Sequence, residues 1–275
     1  MERPDLKVVR YEIRGGVALV TLDRPERLNA WTGRMHTEYR WVLAEAERDD
    51  SVRVIVVTGA GRAFCAGADT TALDGHVERG QYDAGVDVAT LATPGYGIRP
   101  EFDHSFAFHY GIAKPVIAAI NGPAAGVGLV LACYCDIRYA AAGVKLTTSN
   151  GRLGLPAEYG LSWVLPRIVG IGHAADLLFS SRVVLSEEAE RIGLVNRVLA
   201  PDELMPATLA YARTIADEIS PSSLRESKRQ LYTDLHGDVG AAVAESERLL
   251  ERMATEADFR EGVAAWQEKR PPRFS

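Results

Sequence analysis

The chain has 275 residues, of which 47% are hydrophobic and 25% charged, and its formal net charge is −6. This length and composition are typical of a globular protein with one sizeable core, and the acidic balance argues against nucleic-acid binding. The sequence has no apolar run of membrane-spanning length and no signal-peptide core near its N-terminus. We therefore expect a cytoplasmic protein that binds neither nucleic acid nor membranes.

The three cysteines, Cys65, Cys133 and Cys135, lie in apolar stretches. Their odd number and the lack of clustered partner ligands argue against disulfides and against a metal site. We expect buried thiols that pack as small hydrophobic side chains in a reducing compartment.

Strands and helices alternate along the first part of the chain. The apolar runs 7–13 and 17–22 flank two glycines, which indicates a hairpin. Thr32 is positioned to cap a helix whose apolar residues follow at helical spacing up to Ala46. A buried strand is predicted over 53–58, and this rhythm indicates parallel pairing with right-handed crossovers.

Two loops of small residues follow predicted buried strands. Residues 59–69 follow the strand at 53–58, and residues 121–128 follow an apolar run over 115–120 and lead into a helix predicted over 129–135. Small residues before a helix N-terminus let a ligand approach backbone N–H groups, where the helix dipole favours negative charge. Either loop alone indicates an anion site, an oxyanion hole or simple tight packing. Together, two such loops are able to direct one amide each at a single oxygen.

The stretch 70–113 is the least regular part of the chain, and it separates the two loops in sequence. Such a stretch inside a compact domain is typical of a binding loop or lid, so we expect it to form one wall of a pocket. Its titratable groups of interest are His104 and His109, and the alternative is that both are ordinary hydrogen-bonded or surface histidines.

The last part of the chain is predicted to be helical. A helix is expected over 168–180, and Ser186 is expected to cap the next one. From residue 201 the helical pattern continues to about Trp266, with breaks near Pro221 and Gly237.

The chain resembles the crotonase superfamily, which is the enoyl-CoA hydratase/isomerase family. The segments that carry the resemblance span nearly the whole chain: 63–69 (AFCAGAD), 114–122 (KPVIAAING), 135–138 (CDIR), 165–167 (LPR), 193–195 (GLV) and 268–271 (EKRP). The resemblance implies an α/β fold, with a crotonase-like spiral of ββα repeats in residues 1–200 that binds CoA and the acyl chain. It implies that residues 201–275 form a C-terminal helical region for oligomerisation and for covering the site. A homotrimer or a dimer of trimers is the implied assembly.

By this resemblance, the backbone amides of Ala68 and Val127 form an oxyanion hole that stabilises a thioester enolate. The two glutamates of the family's hydratases correspond here to Val130 and Asn150, neither of which is a general acid or base near neutral pH. This departure argues against simple hydratase chemistry.

Glu158 occupies the position at which the isomerase-type branch of the family has its proton-carrying carboxylate. Its neighbours in sequence are apolar or small, so we expect burial to raise its pKa toward the range useful for proton transfer. The alternative is a loop carboxylate that forms an ion pair with Arg152 or Arg167.

For the coenzyme, the resemblance points to two backbone segments near the first loop. The implied binding residues are Arg27, Leu28, Ala30, Ala66, Asp69 and Thr70. Arg24 or Arg27 would meet a phosphate, and a solvated surface role is the alternative for each. The family requires no metal and no cofactor beyond the CoA carried by its acyl-CoA thioester substrate.

The leading hypothesis is an enzyme that shifts a double bond in an enoyl-CoA, with Glu158 as the proton carrier. An enoyl-CoA hydratase that uses Glu158 and a positioned water is the second enzymatic hypothesis, and hydrolysis, decarboxylation and dehalogenation remain open. The non-enzymatic alternative is a catalytically silent subunit that binds acyl-CoA. The acyl chain and the choice between trimer and hexamer stay open at this stage.

Overall fold

The computed structural model describes residues 5–80, 85–87 and 90–274, except for the side chains of residues 72, 73, 76 and 79. The expectation that no secretory signal is present falls partly on residues 1–4, which lie outside the described residues. Among the described helices, none has the length and apolarity needed to cross a bilayer.

The main sheet has the strand order β1-β2-β3-β4-β6-β9. Its strands are β1 Val9–Arg14, β2 Val17–Leu22, β3 Val54–Gly59, β4 Val116–Ile120, β6 Ile137–Ala141 and β9 Arg197–Leu199. The predicted hairpin is confirmed, because β1 and β2 pair antiparallel, and every later pair in this sheet is parallel. Every residue of β3 and β4 is buried, which explains their unbroken apolar runs.

A second, small sheet has the order β5-β7-β8, and its first strand lies within the second loop. Its strands are β5 Ala124–Ala125, β7 Lys145–Thr147 and β8 Val184–Leu185. Strand β5 is followed by Gly126, which directly precedes the next helix, so this sheet fixes the position of that helix.

The helices alternate with the strands and then dominate the C-terminal part. They are α1 Gly33–Arg48, α2 Thr70–Arg79, α3 Val127–Tyr134, α4 Leu161–Ser180, α5 Ser186–Arg191, α6 Leu204–Glu218, α7 Pro221–Asp234, α8 Val239–Met253 and α9 Ala257–Glu268. The Thr32 cap on α1 is confirmed, since its hydroxyl accepts a hydrogen bond from the Met35 amide at 3.1 Å. The breaks predicted near Pro221 and Gly237 are also confirmed.

Three sequence predictions were wrong in detail. Residues 70–79 form helix α2 rather than irregular chain, and α4 begins at Leu161 and contains Pro166. Ser186 is the first residue of α5 and not its cap; its hydroxyl instead accepts a hydrogen bond from the Val144 amide at 3.2 Å.

Asp136, directly after the second loop's helix, connects the C-terminal helices to the sheet. Its carboxylate accepts hydrogen bonds from the Val116 amide at 2.6 Å, from Lys228 Nζ at 2.7 Å and from the Tyr232 hydroxyl at 2.6 Å. The charged groups of Asp136 and Lys228 are both largely buried, so removing one of them would leave the other charge uncompensated. The division at residue 200 stays a prediction, and this network joins the chain on its two sides.

Candidate active site

The first loop presents the amide of Ala68. Trp31 and Ala68 form a parallel bridge, in which the Trp31 amide donates to the Gly67 carbonyl at 2.7 Å and the Asp69 amide donates to the Trp31 carbonyl at 3.0 Å. In this pairing the residues on either side of Ala68 make the hydrogen bonds. The Ala68 N–H therefore points away from the Trp31 segment.

The second loop presents the amide of Val127. Gly126 has φ 48° and ψ −122°, a conformation that only glycine adopts without strain, and Val127 is the first residue of helix α3. The first amides of a helix have no partner within it and carry the positive end of the dipole. Valine fits here in place of the family's commoner glycine because the backbone at Val127 is helical.

The two loops contact each other through their backbones. Cys65 pairs with Ala124, and a Cβ atom added to Gly128 would lie only 2.1 Å from the Cys65 carbonyl oxygen. A Cβ on Gly67 would lie 3.2 Å from the Ala125 carbonyl oxygen. The small residues therefore let the two loops pack tightly, and this packing places the Ala68 and Val127 amides near each other.

Glu158 lies beside this junction. A Cβ atom on Gly126 would be 3.7 Å from Glu158 Oε2 and 4.0 Å from Gly67 Cα. The Glu158 side chain is half-buried, and burial raises its pKa above the ordinary glutamate value. It forms no hydrogen bond or ion pair with any described residue. The ion pair considered as an alternative is thus not formed, and Arg167 instead lies over the Trp163 ring at 3.8 Å.

The turn that carries Glu158 is held by helix α3. The Tyr134 hydroxyl, at the last residue of that helix, donates to the Tyr159 carbonyl at 2.8 Å. Tyr159 has φ 46° and Gly160 has φ 78°, and a Cβ on Gly160 would lie 2.7 Å from the Tyr134 hydroxyl. The left-handed backbone at these two residues lets the turn approach Tyr134 closely.

The positions of the two hydratase glutamates hold no acid. Val130 is fully buried in α3. Asn150 is also buried, and its Oδ1 has no hydrogen-bond partner among the described residues.

The segments predicted to bind the coenzyme are brought together. Asn29 Nδ2 donates to the carbonyls of Ala60 and Ala63 at 2.9 and 2.8 Å, and the Ala66 amide donates to the Leu28 carbonyl at 3.0 Å. These bonds fasten the loop at 24–30, which contains Arg27 and Ala30, to the first small-residue loop. CoA binding by these segments stays a prediction.

The two candidate arginines differ in their contacts. Arg24 Nη1 donates to the Ala30 carbonyl at 2.7 Å and pairs with Asp69 at 3.0 Å, next to Thr70 at the start of α2. Arg27 is exposed and has no side-chain partner among the described residues. Of the two, Arg27 is therefore the arginine with every donor available for a phosphate, whereas Nη1 of Arg24 is already engaged.

The described part of the stretch 70–113 lines two cavities that share Ser105 and Tyr159. Their volumes are about 510 Å³ and about 220 Å³, and residues 81–84 and 88–89 of the predicted pocket wall lie outside the described residues. His104 lines the larger cavity. His109 is fully buried between the Tyr39 hydroxyl at 2.8 Å and the Phe106 carbonyl at 2.6 Å, and burial lowers its pKa to about 3. His109 is thus a neutral structural residue.

Sequence reasoning missed several residues around the site: Trp31, His36, Arg40 and Tyr134. Only His36 and Arg40 carried a signal, because they are two nitrogen-bearing side chains four residues apart, each directly after one of the apolar positions Met35 and Tyr39.

The sequence profile of the family described as enoyl-CoA hydratase/isomerase matches residues 12–275. The chain belongs to the enoyl-CoA hydratase/isomerase family. A “probable enoyl-CoA hydratase” of Mycobacterium bovis is 38% identical over 270 residues, which are 95% of this chain and 90% of that protein. The 1,2-epoxyphenylacetyl-CoA isomerase of Escherichia coli is 33% identical over 273 residues, covering 98% of this chain and 99% of the relative.

Solved structures agree with this assignment. The crystal structure of enoyl-CoA hydratase from Bacillus anthracis superposes with a TM-score of 0.84 at 27% identity, covering 98% of this chain and 99% of that one. The predicted crotonase-like α/β fold with its C-terminal helical region is confirmed. This member of the enoyl-CoA hydratase/isomerase family is therefore an acyl-CoA enzyme. Since relatives are named both hydratase and isomerase, membership of the family does not determine which reaction this enzyme catalyses.

Proposed function

We propose that this enzyme shifts a double bond within an enoyl-CoA thioester, with Glu158 as the proton carrier. The observation that supports this most directly is the carboxylate of Glu158, which has no partner among the described residues. Its Oε2 lies 3.7 Å from the place a Cβ on Gly126 would take, and thus beside the loop that presents Val127. An acid in this position faces the carbons next to a thioester carbonyl held by the two loops.

The reaction needs one carboxylate and one pair of amides. The amides of Ala68 and Val127 donate to the thioester oxygen and stabilise the charge that develops there. Ionised Glu158 removes a proton from the carbon next to the carbonyl of a 3-enoyl-CoA. The electron pair of that C–H bond spreads over the dienolate to the oxygen. Glu158 then returns the proton to the fourth carbon, which leaves the 2-enoyl-CoA and the starting carboxylate.

Hydration of a 2-enoyl-CoA is the second candidate, because several relatives are named hydratases. It requires activation of a water molecule as well as protonation of a carbon. With Val130 and Asn150 at the positions of the family's two hydratase glutamates, both tasks would fall to Glu158, whereas the double-bond shift needs a single group.

A paired assay tests the proposal. Purified enzyme is incubated with 3-enoyl-CoA and 2-enoyl-CoA thioesters of matched chain length; isomerisation is followed by the ultraviolet absorbance of the conjugated 2-enoyl thioester, and addition of water by the gain in mass. We expect 3-enoyl-CoA to be converted without a change of mass, with kcat/KM at least about tenfold above that for addition of water to 2-enoyl-CoA. Faster hydration would assign the enzyme to the second candidate. Binding of both thioesters without turnover of either would favour the silent binding subunit.

The pH dependence should report the buried carboxylate. Glu158 must be ionised to act as a base, and burial raises its pKa, so kcat/KM is expected to fall with decreasing pH through an apparent pKa above the ordinary glutamate value. Burial lowers the pKa of His36 to about 4 and that of His109 to about 3, so neither histidine is expected to produce a step near neutral pH. The measurement is a pH profile of kcat/KM, and an acid limb at or below the ordinary glutamate pKa would contradict the assignment.

A further inference from the structure

The smaller cavity lies beside the proposed reaction site. Its volume is about 220 Å³, and it is bounded by Trp31 and Tyr159. Trp31 is bridged to Ala68, and Tyr159 directly follows Glu158. If the proposed function is correct, the acyl chain passes between these two rings as it leaves the carbonyl and Glu158.

Arg40 lines this cavity from helix α1. Its side chain is only 2% exposed, and its guanidinium lies over the rings of Tyr96 and Phe108, with Cζ 5.0 and 4.7 Å from their centroids. Nε donates to the Ala92 carbonyl at 2.6 Å, and no carboxylate pairs with Arg40 in the part of the chain that the structure describes. A guanidinium has five N–H donors, so most of the donors of Arg40 have no partner among the described residues.

A buried cation without an anion is costly, even when aromatic faces offset part of the cost. The two rings and one carbonyl account for the position of Arg40. They do not supply the negative charge that usually accompanies a buried arginine. A ligand that fills the cavity is in a position to supply that charge.

His36 lines the same cavity one helical turn before Arg40. Its side chain is 8% exposed and makes no hydrogen bond with a described residue. Burial, and then the nearby charge of Arg40, lowers the pKa of His36 to about 4. The imidazole is thus neutral at physiological pH and offers one N–H donor beside the guanidinium.

We propose that Arg40 and His36 bind a carboxylate at the distal end of the acyl chain, so that the substrate is the CoA monothioester of a short unsaturated dicarboxylic acid. Arginine and carboxylate form paired, charge-assisted hydrogen bonds, and the imidazole N–H adds a further donor. The cavity is smaller than the roughly 300–1,000 Å³ typical of ligand pockets, which suits a short chain. The inference rests on the proposed function for the position of the thioester carbonyl.

The test compares two saturated six-carbon thioesters that cannot isomerise, adipoyl-CoA and hexanoyl-CoA, by calorimetry. The wild-type enzyme is expected to bind adipoyl-CoA at least about tenfold more tightly. Arg40→Met should reduce this preference to less than about twofold, and Arg40→Lys should retain part of it because the charge remains. Equal or tighter binding of hexanoyl-CoA by the wild-type enzyme overturns the inference without recourse to any variant.

Arg167→Met is the matched control. Arg167 also lies over an aromatic ring and donates to a backbone carbonyl, that of Trp163 at 2.9 Å, but it does not line this cavity. It is expected to leave the ratio of the two affinities unchanged. An equal loss of preference in Arg167→Met and Arg40→Met would show a nonspecific charge effect and overturn the inference.

Turnover assays distinguish a failure of this inference from a failure of the proposed function. Isomerisation of 3-hexenoyl-CoA with no preference for the carboxylate-ended analogues would overturn only the role of Arg40 and His36. A clear preference for adipoyl-CoA in binding, without isomerisation of 3-hexenoyl-CoA or 3-hexenedioyl-CoA, would overturn only the proposed reaction.

Discussion

Glu158→Gln is expected to lower kcat for isomerisation of 3-enoyl-CoA by roughly 10²–10⁴-fold, the usual contribution of a positioned general base. Glutamine has nearly the same shape but cannot take up the proton from the carbon next to the carbonyl. Binding of a saturated acyl-CoA should change little, because no hydrogen bond or ion pair joins Glu158 to the described residues. The measurements are steady-state kinetics and calorimetry. A variant with wild-type kcat would remove Glu158 from the mechanism.

Stability provides the control for this variant. Because the pKa of Glu158 is raised in the folded state, its contribution to the free energy of unfolding is greatest at low pH and is lost as pH rises through the folded-state pKa. At neutral pH the ionised side chain is therefore destabilising. Glu158→Gln removes that cost and is expected to unfold at an equal or higher urea concentration. Loss of activity together with a lower urea midpoint would point to misfolding instead.

Gly128→Ala is expected to lower kcat by roughly 10²–10³-fold, the usual cost of losing one oxyanion donor. The added methyl group would lie 2.1 Å from the Cys65 carbonyl oxygen, a backbone atom that cannot move aside alone. The start of helix α3 must therefore shift away from the first loop, and the Val127 amide shifts with it. Overpacking of this kind should also lower the free energy of unfolding by about 1–3 kcal/mol, measured by urea titration.

Gly172→Ala is the matched control for the substitution at Gly128. Gly172 lies in helix α4, and nothing lies within 4 Å of the position a Cβ would take. We expect unchanged kcat and stability equal to or up to about 1 kcal/mol above wild type, since alanine favours the helix. Full activity in Gly128→Ala would show that close contact between the loops is not needed for catalysis.

The strands and the first helix could be predicted because their signals are local. Strands β3 and β4 are covered on both faces, so each reads as an unbroken apolar run. Thr32 caps α1 through a hydrogen bond to an amide three residues away. Helix α2 was missed because it contains Gly75 and has only a weak apolar face, and its first turn depends on the Asp69 carboxylate, which accepts from the Thr71 amide at 3.0 Å. In α4, Pro166 suggested a break where the helix continues, whereas the kink is at Gly170, whose φ of 77° and ψ of 159° are not helical.

The candidate site was predictable to the extent that it consists of local loop motifs. The small residues around Gly67 and Gly126 indicated two backbone donors, and their contact follows from the parallel strands that precede them. The pairing of Arg24 with Asp69 and the bond from Tyr134 to Tyr159 join residues that are distant in sequence, and no local pattern encodes them. Arg40 was overlooked because its environment is two aromatic rings and a carbonyl rather than an acid at helical spacing.

Helix α3 has the Val127 amide in its first turn and Tyr134, which holds the turn of Glu158, as its last residue. An eight-residue α-helix is a stiff rod about 12 Å long. Thermal motion of this rod therefore displaces the Val127 amide and the Glu158 carboxylate together and preserves the distance between them. Thioesters whose tails differ in length would consequently encounter the same spacing at the reacting carbons, with any difference in fit confined to the far end of the chain.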